Sequence, residues 1–502
     1  MLKISCFFCR IINFDELIKS LNFPIRSENH EGFIHMGGLF GVVSKDDCVN
    51  DIFYGTDYHS HLGTKRGGLA VWNRKGFERA IHSIENSYFR SKFESELPKF
   101  KGNIGIGVIS DNDSQPLIIG SHLGTFAIAT VGKLNNIDEL SKKAFNKKMH
   151  FSETSGGETN PTELVAMLIC EEDSFENGIK RAQELIKGSC SILLLTNKGI
   201  FASRDKLGRT PLVIGKKEGS FAVASENCAF PNLGFETETF LGPGEIVYLT
   251  HDACVRKKEP ENKMQICSFL WVYYGYPASE YEGINVEYVR NRCGSALAKN
   301  DNVAIDCVAG IPDSGIGHAI GYANEKKVPY VRPFVKYTPT WPRSFMPQNQ
   351  KMRDLVAKMK LIPVKKLIEG KKILFCEDSI VRGTQLKDNI QILYDCGALE
   401  VHMRPACPTL IYPCLFLNFS TSRSTLDLAG RKVILEIEGR EDKNLAEYAT
   451  ADSEKNRQMT DMICRHLKLT TLNYQKLRDL INAIGLPKEK LCTHCWDGTS
   501  YF

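Results

Sequence analysis

Apolar residues group in two ways along the chain, and the change from one to the other divides it. From Gly38 to about Tyr248 they form short runs closed by glycine turns: LFGVVS, GNIGIGVIS, TFAIATVG, SCSILLLTN, GIFASRD, PLVIGKK, SFAVAS and EIVYLT. Such runs predict strands. Helix-period stretches lie among them, TELVAMLICEED and ENGIKRAQELIKG, so this region predicts an α+β layered domain. From about Gly283 strands and helices alternate. VEYVRNRCGSALAKN, SGIGHAIGYANEKK and TQLKDNIQILYDCG read as helices, and NVAIDCVAGIP, VPYVRPFV, KKILFCEDSIV and ALEVHMRPACP as strands. This alternation predicts βαβ units around a parallel sheet. The change falls near residues 250–280. A last segment, about 440–502, reads as mostly helical and ends in CTHCWDG, and no internal repeat is visible.

Composition narrows the class. A chain of 502 residues exceeds one ordinary core, and 42% hydrophobic with 25% charged residues describes a soluble globular protein. A net charge of +5 gives no reason to expect nucleic acid. No run of eighteen apolar residues exists, so no membrane-spanning helix is expected. The opening MLKISCFFCRII is broken by Arg10 and lacks a small-residue cleavage site, which argues against a secretory signal. Seventeen scattered cysteines do not describe a secreted disulfide framework and fit a reducing cytoplasm. Cys170, Cys190, Cys228, Cys307 and Cys376 sit singly in apolar stretches, as small hydrophobes do. Cys492-Thr-His-Cys495 stands apart, because a CxxC points to metal or redox chemistry.

The strongest chemical signal is Ile373-Leu-Phe-Cys-Glu-Asp-Ser-Ile-Val-Arg-Gly-Thr384. An apolar strand ends in two carboxylates, and a loop of small and hydroxyl residues then enters a helix. Ligands of open α/β sheets bind beyond the carboxyl ends of strands. The loop Ser379–Thr384 can turn backbone N–H groups and a helix N-terminus toward a phosphate. Glu377 and Asp378 are placed to accept hydrogen bonds from sugar hydroxyls or to hold Mg²⁺. The plainer reading is a charged strand-end turn. Asp313-Ser314-Gly315 repeats the arrangement, following a buried strand and preceding a helix, so its N–H groups can receive a pyrophosphate.

The stretch CEDSIVRGT resembles the phosphoribosyl pyrophosphate (PRPP) loop of type I phosphoribosyltransferases. More narrowly, it is similar to that of glutamine PRPP amidotransferases, also called amidophosphoribosyltransferases, which make 5-phosphoribosylamine in the first step of purine synthesis. Gly310-Ile-Pro-Asp-Ser-Gly315 resembles their pyrophosphate loop. Ser203–Gly215, Ala224-Ser-Glu226 and Leu241–Val247 resemble three stretches of their glutaminase domain, all in the family's order. The resemblance covers about residues 37–498. It implies a four-layer α+β domain of the N-terminal-nucleophile-hydrolase kind over 37–265 and an α/β type I phosphoribosyltransferase domain with a parallel sheet over 266–440. A helical segment, 441–502, would close a cysteine cluster, and residues 1–36 would be an extension or an upstream mis-start ahead of a true initiator at Met36.

The resemblance also implies residue roles. Ser314, Glu377 and Asp378 would surround Mg²⁺. Asp313 and Gly315 would line the pyrophosphate, Ser379, Gly383 and Thr384 the 5-phosphate, and Arg382 would also bind PRPP. Lys336 and Arg343 would contact phosphates as the site closes, although VKYTPTWPRSF departs from the usual loop and is one residue longer. Cys267, Cys414, Cys492 and Cys495 match the contexts that hold a [4Fe–4S] cluster in one branch of the family. Zinc, or four unrelated buried cysteines, are the alternatives.

The other half of the chemistry is missing. The family's nucleophile is a cysteine at the chain's own N-terminus, in the pattern Cys-Gly-Ile/Leu-x-Gly. Here the stretch is Gly37-Gly38-Leu39-Phe40-Gly41, and glycine has no side chain to attack with. The family's His-Arg-Gly carboxylate clamp stands as His61-Leu62-Gly63, its oxyanion Asn-Gly as Val131-Gly132, and its amine-binding acid as Pro161. Cys48 has no neighbouring base in the sequence to make it a substitute nucleophile. The expectation is a cytoplasmic enzyme that transfers phosphoribosyl from PRPP to ammonia or a small amine. Its glutaminase domain is degenerate, retained for packing, and its homo-oligomer draws ammonia from solution or from a separate donor. The alternative is a non-catalytic PRPP- or nucleotide-binding regulator of a catalytic relative.

Overall fold

The structure, a computed structural model, describes residues 37–111, 113–152, 154–155, 158–337, 361–417 and 424–501. The assignment of Met36 as initiator and the loop containing Arg343 therefore lie outside the described residues.

Two antiparallel sheets of seven and six strands occupy residues 37–258. The strand Gly37–Ser44 is central in the first, between Ser220–Ala224 and Ile104–Ser110. It reads as a continuous apolar run because both its faces are buried. Leu39 and Val43 meet Ala127, Ala129, Leu193 and Leu195 of the second sheet. Phe40 and Val42 pack against Ile52 and Phe53 of the helix Val49–Asp57. On the far side, the helices Pro161–Ile169 and Phe175–Leu185 cover the second sheet through Leu164, Val165, Leu168, Ile179 and Ala182. The result is the expected four layers, helix–sheet–sheet–helix.

The second architecture is a four-stranded parallel sheet in the order Cys307–Gly310, Lys372–Glu377, Glu400–Pro405, Thr471–Leu472. Register sets Gly310 beside Cys376 and Glu377 beside Pro405, so two strands end together. The helices Val286–Lys299 and Ile316–Lys326 pack on one another, and glycine permits the approach: a Cβ at Gly321 would lie 2.0 Å from Asn291 O.

One sequence expectation needs correction. VPYVRPFV does not form a full strand of the parallel sheet. It makes a single parallel bridge, Val308 to Tyr330, and then a short strand, Phe334–Lys336, antiparallel to Leu361–Pro363. Its two prolines have no N–H to give a ladder. The C-terminal segment is helical over Leu445–Ala449, Glu454–His466 and Leu477–Ile484, and within it Thr471–Leu472 supplies the last strand of the parallel sheet. No helix of the described residues is long and apolar enough to cross a membrane.

Candidate functional site

The strand-end site is built where the parallel strands stop. Glu377 closes its strand and Asp378 begins the loop, and both are buried. Ser314 Oγ donates to Glu377 Oε1 at 3.3 Å, the Asp378 N–H donates to the same oxygen at 3.1 Å, and Ser379 Oγ donates to Asp378 Oδ1 at 2.5 Å. Burial, and then the adjacent Asp378, push the Glu377 carboxyl well above its usual range. The facing loop folds tightly over the same strand end. A Cβ at Gly315 would lie 2.3 Å from Cys376 O, and one at Gly310 would meet the Gly315 backbone at 2.6 Å. Both positions therefore require glycine. Gly383 lies in the left-handed region (φ +76°) just before the helix Thr384–Asp395, so that helix points its N-terminus at the loop.

The other residues expected here fall nearby with partners of their own. Lys336 Nζ meets Asp313 Oδ2 at 2.5 Å, and both side chains are exposed. Arg382 pairs with Asp427 Oδ2 at 3.1 Å. The structure thus brings together Asp313, Ser314, Gly315, Lys336, Glu377, Asp378 and Ser379, while the side chain of Arg382 is tied to the segment beyond.

The four cysteines also converge. Cys267 and Cys492 stand opposite each other in a two-stranded parallel pair, Ile266–Cys267 with Leu491–Cys492. Both Ile411 and Tyr412 N–H groups donate to Cys495 O, at 3.0 and 3.1 Å, which brings up Cys414. The Cys414 and Cys495 thiols are hydrogen-bonded, and all four sulfurs lie within electrostatic reach of one another. None is in a disulfide. Among the described residues, no three histidine, cysteine or acidic side chains stand close enough together to hold a single metal ion.

The region around Gly37 has the opposite character, because its polar groups are occupied by one another. A Cβ at Gly37 would lie 2.8 Å from Ile109 O and 2.9 Å from Val131 Cγ2, so no side chain fits without movement. A small cavity at Gly37 is walled by Leu62, Val131, Pro211 and Leu270 together with Thr210, Ser225, Glu226 and Tyr281. Gln115 takes both backbone groups of Thr130, accepting from its N–H (2.8 Å) and donating to its C=O (2.9 Å). The Thr130 and Thr162 hydroxyls lie 2.7 Å apart. Pro161 is the first residue of a helix whose N-cap, Asn160, accepts from the Thr162 and Glu163 N–H groups. Cys48 is buried, and burial with Asp47 and Asp51 pushes its thiol well up, away from nucleophilic use.

Glu226 is the charged centre of this region and ties it to the other half. Its carboxylate accepts from Ser279 Oγ at 2.8 Å and Tyr281 Oη at 2.5 Å, and lies 3.1 Å from His61 Nε2. Burial alone would raise its pKa, but His61, His59 and Tyr281 hold it down at about 2. His59 is buried beside it, accepting from the Glu226 N–H and donating from Nδ1 to Gly55 O; burial lowers its pKa to about 4. Sequence reasoning quoted Glu226 but missed Ser279, Tyr281 and His59. Nothing in a linear pattern pairs positions separated by fifty residues or more.

Comparison with known proteins agrees with this geometry. A sequence profile described as a glutamine amidotransferase domain matches residues 103–232. The amidophosphoribosyltransferase of Methanocaldococcus jannaschii is 31% identical over 491 residues, covering 92% of this chain and 97% of the relative. That of Archaeoglobus fulgidus is 32% identical over 407 residues, covering 79% and 88%. Among solved structures, the glutamine PRPP amidotransferase from Bacillus subtilis complexed with ADP and GMP superposes with a TM-score of 0.79 at 26% identity, covering 92% of this chain and 97% of that one. With this identity over nearly its whole length, the chain belongs to the amidophosphoribosyltransferase family.

Proposed function

We propose that the chain transfers the phosphoribosyl group of PRPP to ammonia, giving 5-phosphoribosylamine, and does not hydrolyse glutamine. The observation that carries the second clause is the closure at Gly37. The position where the family has its nucleophile has no side chain, and Val131 and Ile109 occupy the volume one would need. Gln115, Thr130 and Thr162 bond each other, and Glu226 is bonded by Ser279 and Tyr281. An active site that must bind, orient and attack an amide cannot be self-satisfied in this way.

The transferase reading rests on the strand-end site. The N–H groups of the 310–315 loop would receive the pyrophosphate, and the 379–384 loop with its helix N-terminus the 5-phosphate. Glu377, Asp378 and Ser314 would hold Mg²⁺. Two adjacent buried carboxylates suit a divalent ion, whose charge offsets their repulsion. Bound there, Mg²⁺ would supply positive charge to the departing pyrophosphate. Lys336 would exchange Asp313 for a phosphate oxygen as the site closes. Ammonia forms the C1–N bond as the C1–O bond to pyrophosphate breaks, and the extra proton leaves the nitrogen.

For the four cysteines the donor set supports a [4Fe–4S] cluster. Four thiols gather from three segments of the chain, and four thiolates are the ligand set of such a cluster. The cluster would brace the C-terminal segment. The test of the function is PRPP consumption with ammonium and, separately, with glutamine. Turnover with ammonium alone is expected. Turnover with glutamine would refute the loss of glutaminase chemistry, and none with either would refute the transferase.

A further inference from the structure

Arg209 belongs to the region of the two antiparallel sheets, yet it is built into the four-cysteine centre. It is fully buried. Its carbonyl accepts from the Cys267 N–H at 3.4 Å. Its guanidinium donates to Gln265 Oε1 at 3.1 Å, two residues before Cys267, and hydrogen-bonds the Cys492 sulfur. The planar head lies over the Phe416 ring, 3.7 Å from its centroid, and the Phe416 N–H donates to Cys414 Sγ at 3.5 Å. One side chain thus touches the segments carrying Cys267, Cys414 and Cys492.

We propose that Arg209 is the counter-ion of the four-cysteine centre, a cation that compensates its negative charge and sets how readily it is oxidised. The inference rests on the iron–sulfur reading above. Four thiolates outweigh the positive charge of an oxidised [4Fe–4S] core, so the assembled centre is an anion in a buried site. A buried anion is costly unless hydrogen-bonded and compensated. Hydrogen bonds to the sulfurs and nearby charge are also what set the potential of such centres. Arginine suits the task where lysine does not, because its planar fork can stack on Phe416 and donate to Gln265 and Cys492 together. The assignment also gives the glutaminase-like half a use that survives the loss of Gly37's chemistry: it contributes the charge that the other half's cysteines need.

The experiment compares anaerobically purified wild-type chain with Arg209→Gln, Arg209→Lys and Phe416→Leu. Iron and acid-labile sulfide are measured first, and then the rate at which the cluster's visible absorption bleaches in air. Wild type should hold iron and sulfide in near-equal amounts. Arg209→Gln should bleach several-fold faster, with Arg209→Lys between it and wild type, because losing the cation makes the anionic centre easier to oxidise. Phe416→Leu keeps the charge and should stay near wild type, so it separates lost packing from lost charge. If Arg209→Gln does not fold, the order wild type, Phe416→Leu, Arg209→Lys still decides. Wild-type bleaching rates in both Arg209 variants would overturn the inference with the cluster intact. Absence of iron and sulfide from wild type, or zinc in their place, would overturn the cluster reading and this inference with it.

Discussion

The pocket beside Gly37 and the strand ends at Glu377 handle buried polar groups in opposite ways. In the first, the polar groups complete one another. Gln115, Thr130 and Thr162 form a closed set, and Glu226 is matched to Ser279, Tyr281 and His61. In the second, Glu377 and Asp378 stand side by side under cover, and burial with this like charge pushes the Glu377 carboxyl well up. Satisfied polar groups hold a fold together, whereas two buried carboxylates set side by side suit a ligand of opposite charge.

Breaking the second region should have the largest effect. Asp378→Asn or Glu377→Gln is expected to cut ammonium-dependent PRPP turnover by about 100-fold or more while sparing thermal stability. Steady-state kinetics beside a melting curve checks both. Turnover within a few-fold of wild type would remove these carboxylates from the chemistry. Breaking the first region should do the reverse. Glu226→Gln leaves His61 and two hydroxyls mismatched under cover and should cost roughly 3 kcal/mol of stability by urea unfolding. Gly37→Cys should produce no glutaminase activity and cost about 1–3 kcal/mol through overpacking against Val131. Adding Val131→Ala, which removes the crowding methyl groups, should relieve part of that cost. Measurable glutamine hydrolysis by the single variant would show the pocket to be open after all.

Acid should act on the first region in a stated direction. The His59 pKa falls from an ordinary 6.5 to about 4 in the folded chain, so folding releases its proton in between. Its contribution is complete above pH 6.5 and is lost as the pH drops toward 4, on the order of 3 kcal/mol. Glu226, lowered from 4.5 to about 2, loses its contribution in the next window down. The urea midpoint should therefore fall from pH 7 to 4.5, and less steeply in His59→Gln. His318, lowered to about 3 by burial and Arg290, acts in the same direction and leaves a residual slope. Equal slopes in both chains would absolve His59. The smallest effect is expected at Lys336→Ala: about 0–1 kcal/mol of stability, since its ion pair with Asp313 is exposed. A raised KM for PRPP would accompany it.

The sequence carries the layers and the strand-end site well, because both are local. A buried strand shows as an apolar run, and the two loops are single stretches with glycine where the backbone turns or approaches closely. It hides what depends on distance. The run VPYVRPFV looks like a strand, and only the structure shows that its prolines leave a bridge. Thr471–Leu472 is too short to announce itself among helices. Tyr281 and Ser279 acquire meaning only when Glu226 is set against them. Arg209 sits inside a stretch that attracts notice for another reason, and no spacing rule connects it to Cys492.

The parallel pair of Ile266–Cys267 with Leu491–Cys492 bears on the order of events during folding. Ser268 Oγ donates to Cys492 O across 224 residues of chain. Contacts at such separation are slow to close and are favoured only after the intervening chain has collapsed. Two of the four thiols come into position by this step, so the cysteine centre is expected to form late in folding. Pulse-labelled hydrogen exchange should accordingly find the Cys267 and Ser268 amides, which donate to Arg209 O and Cys492 O, protected later than those of Gly37–Ser44.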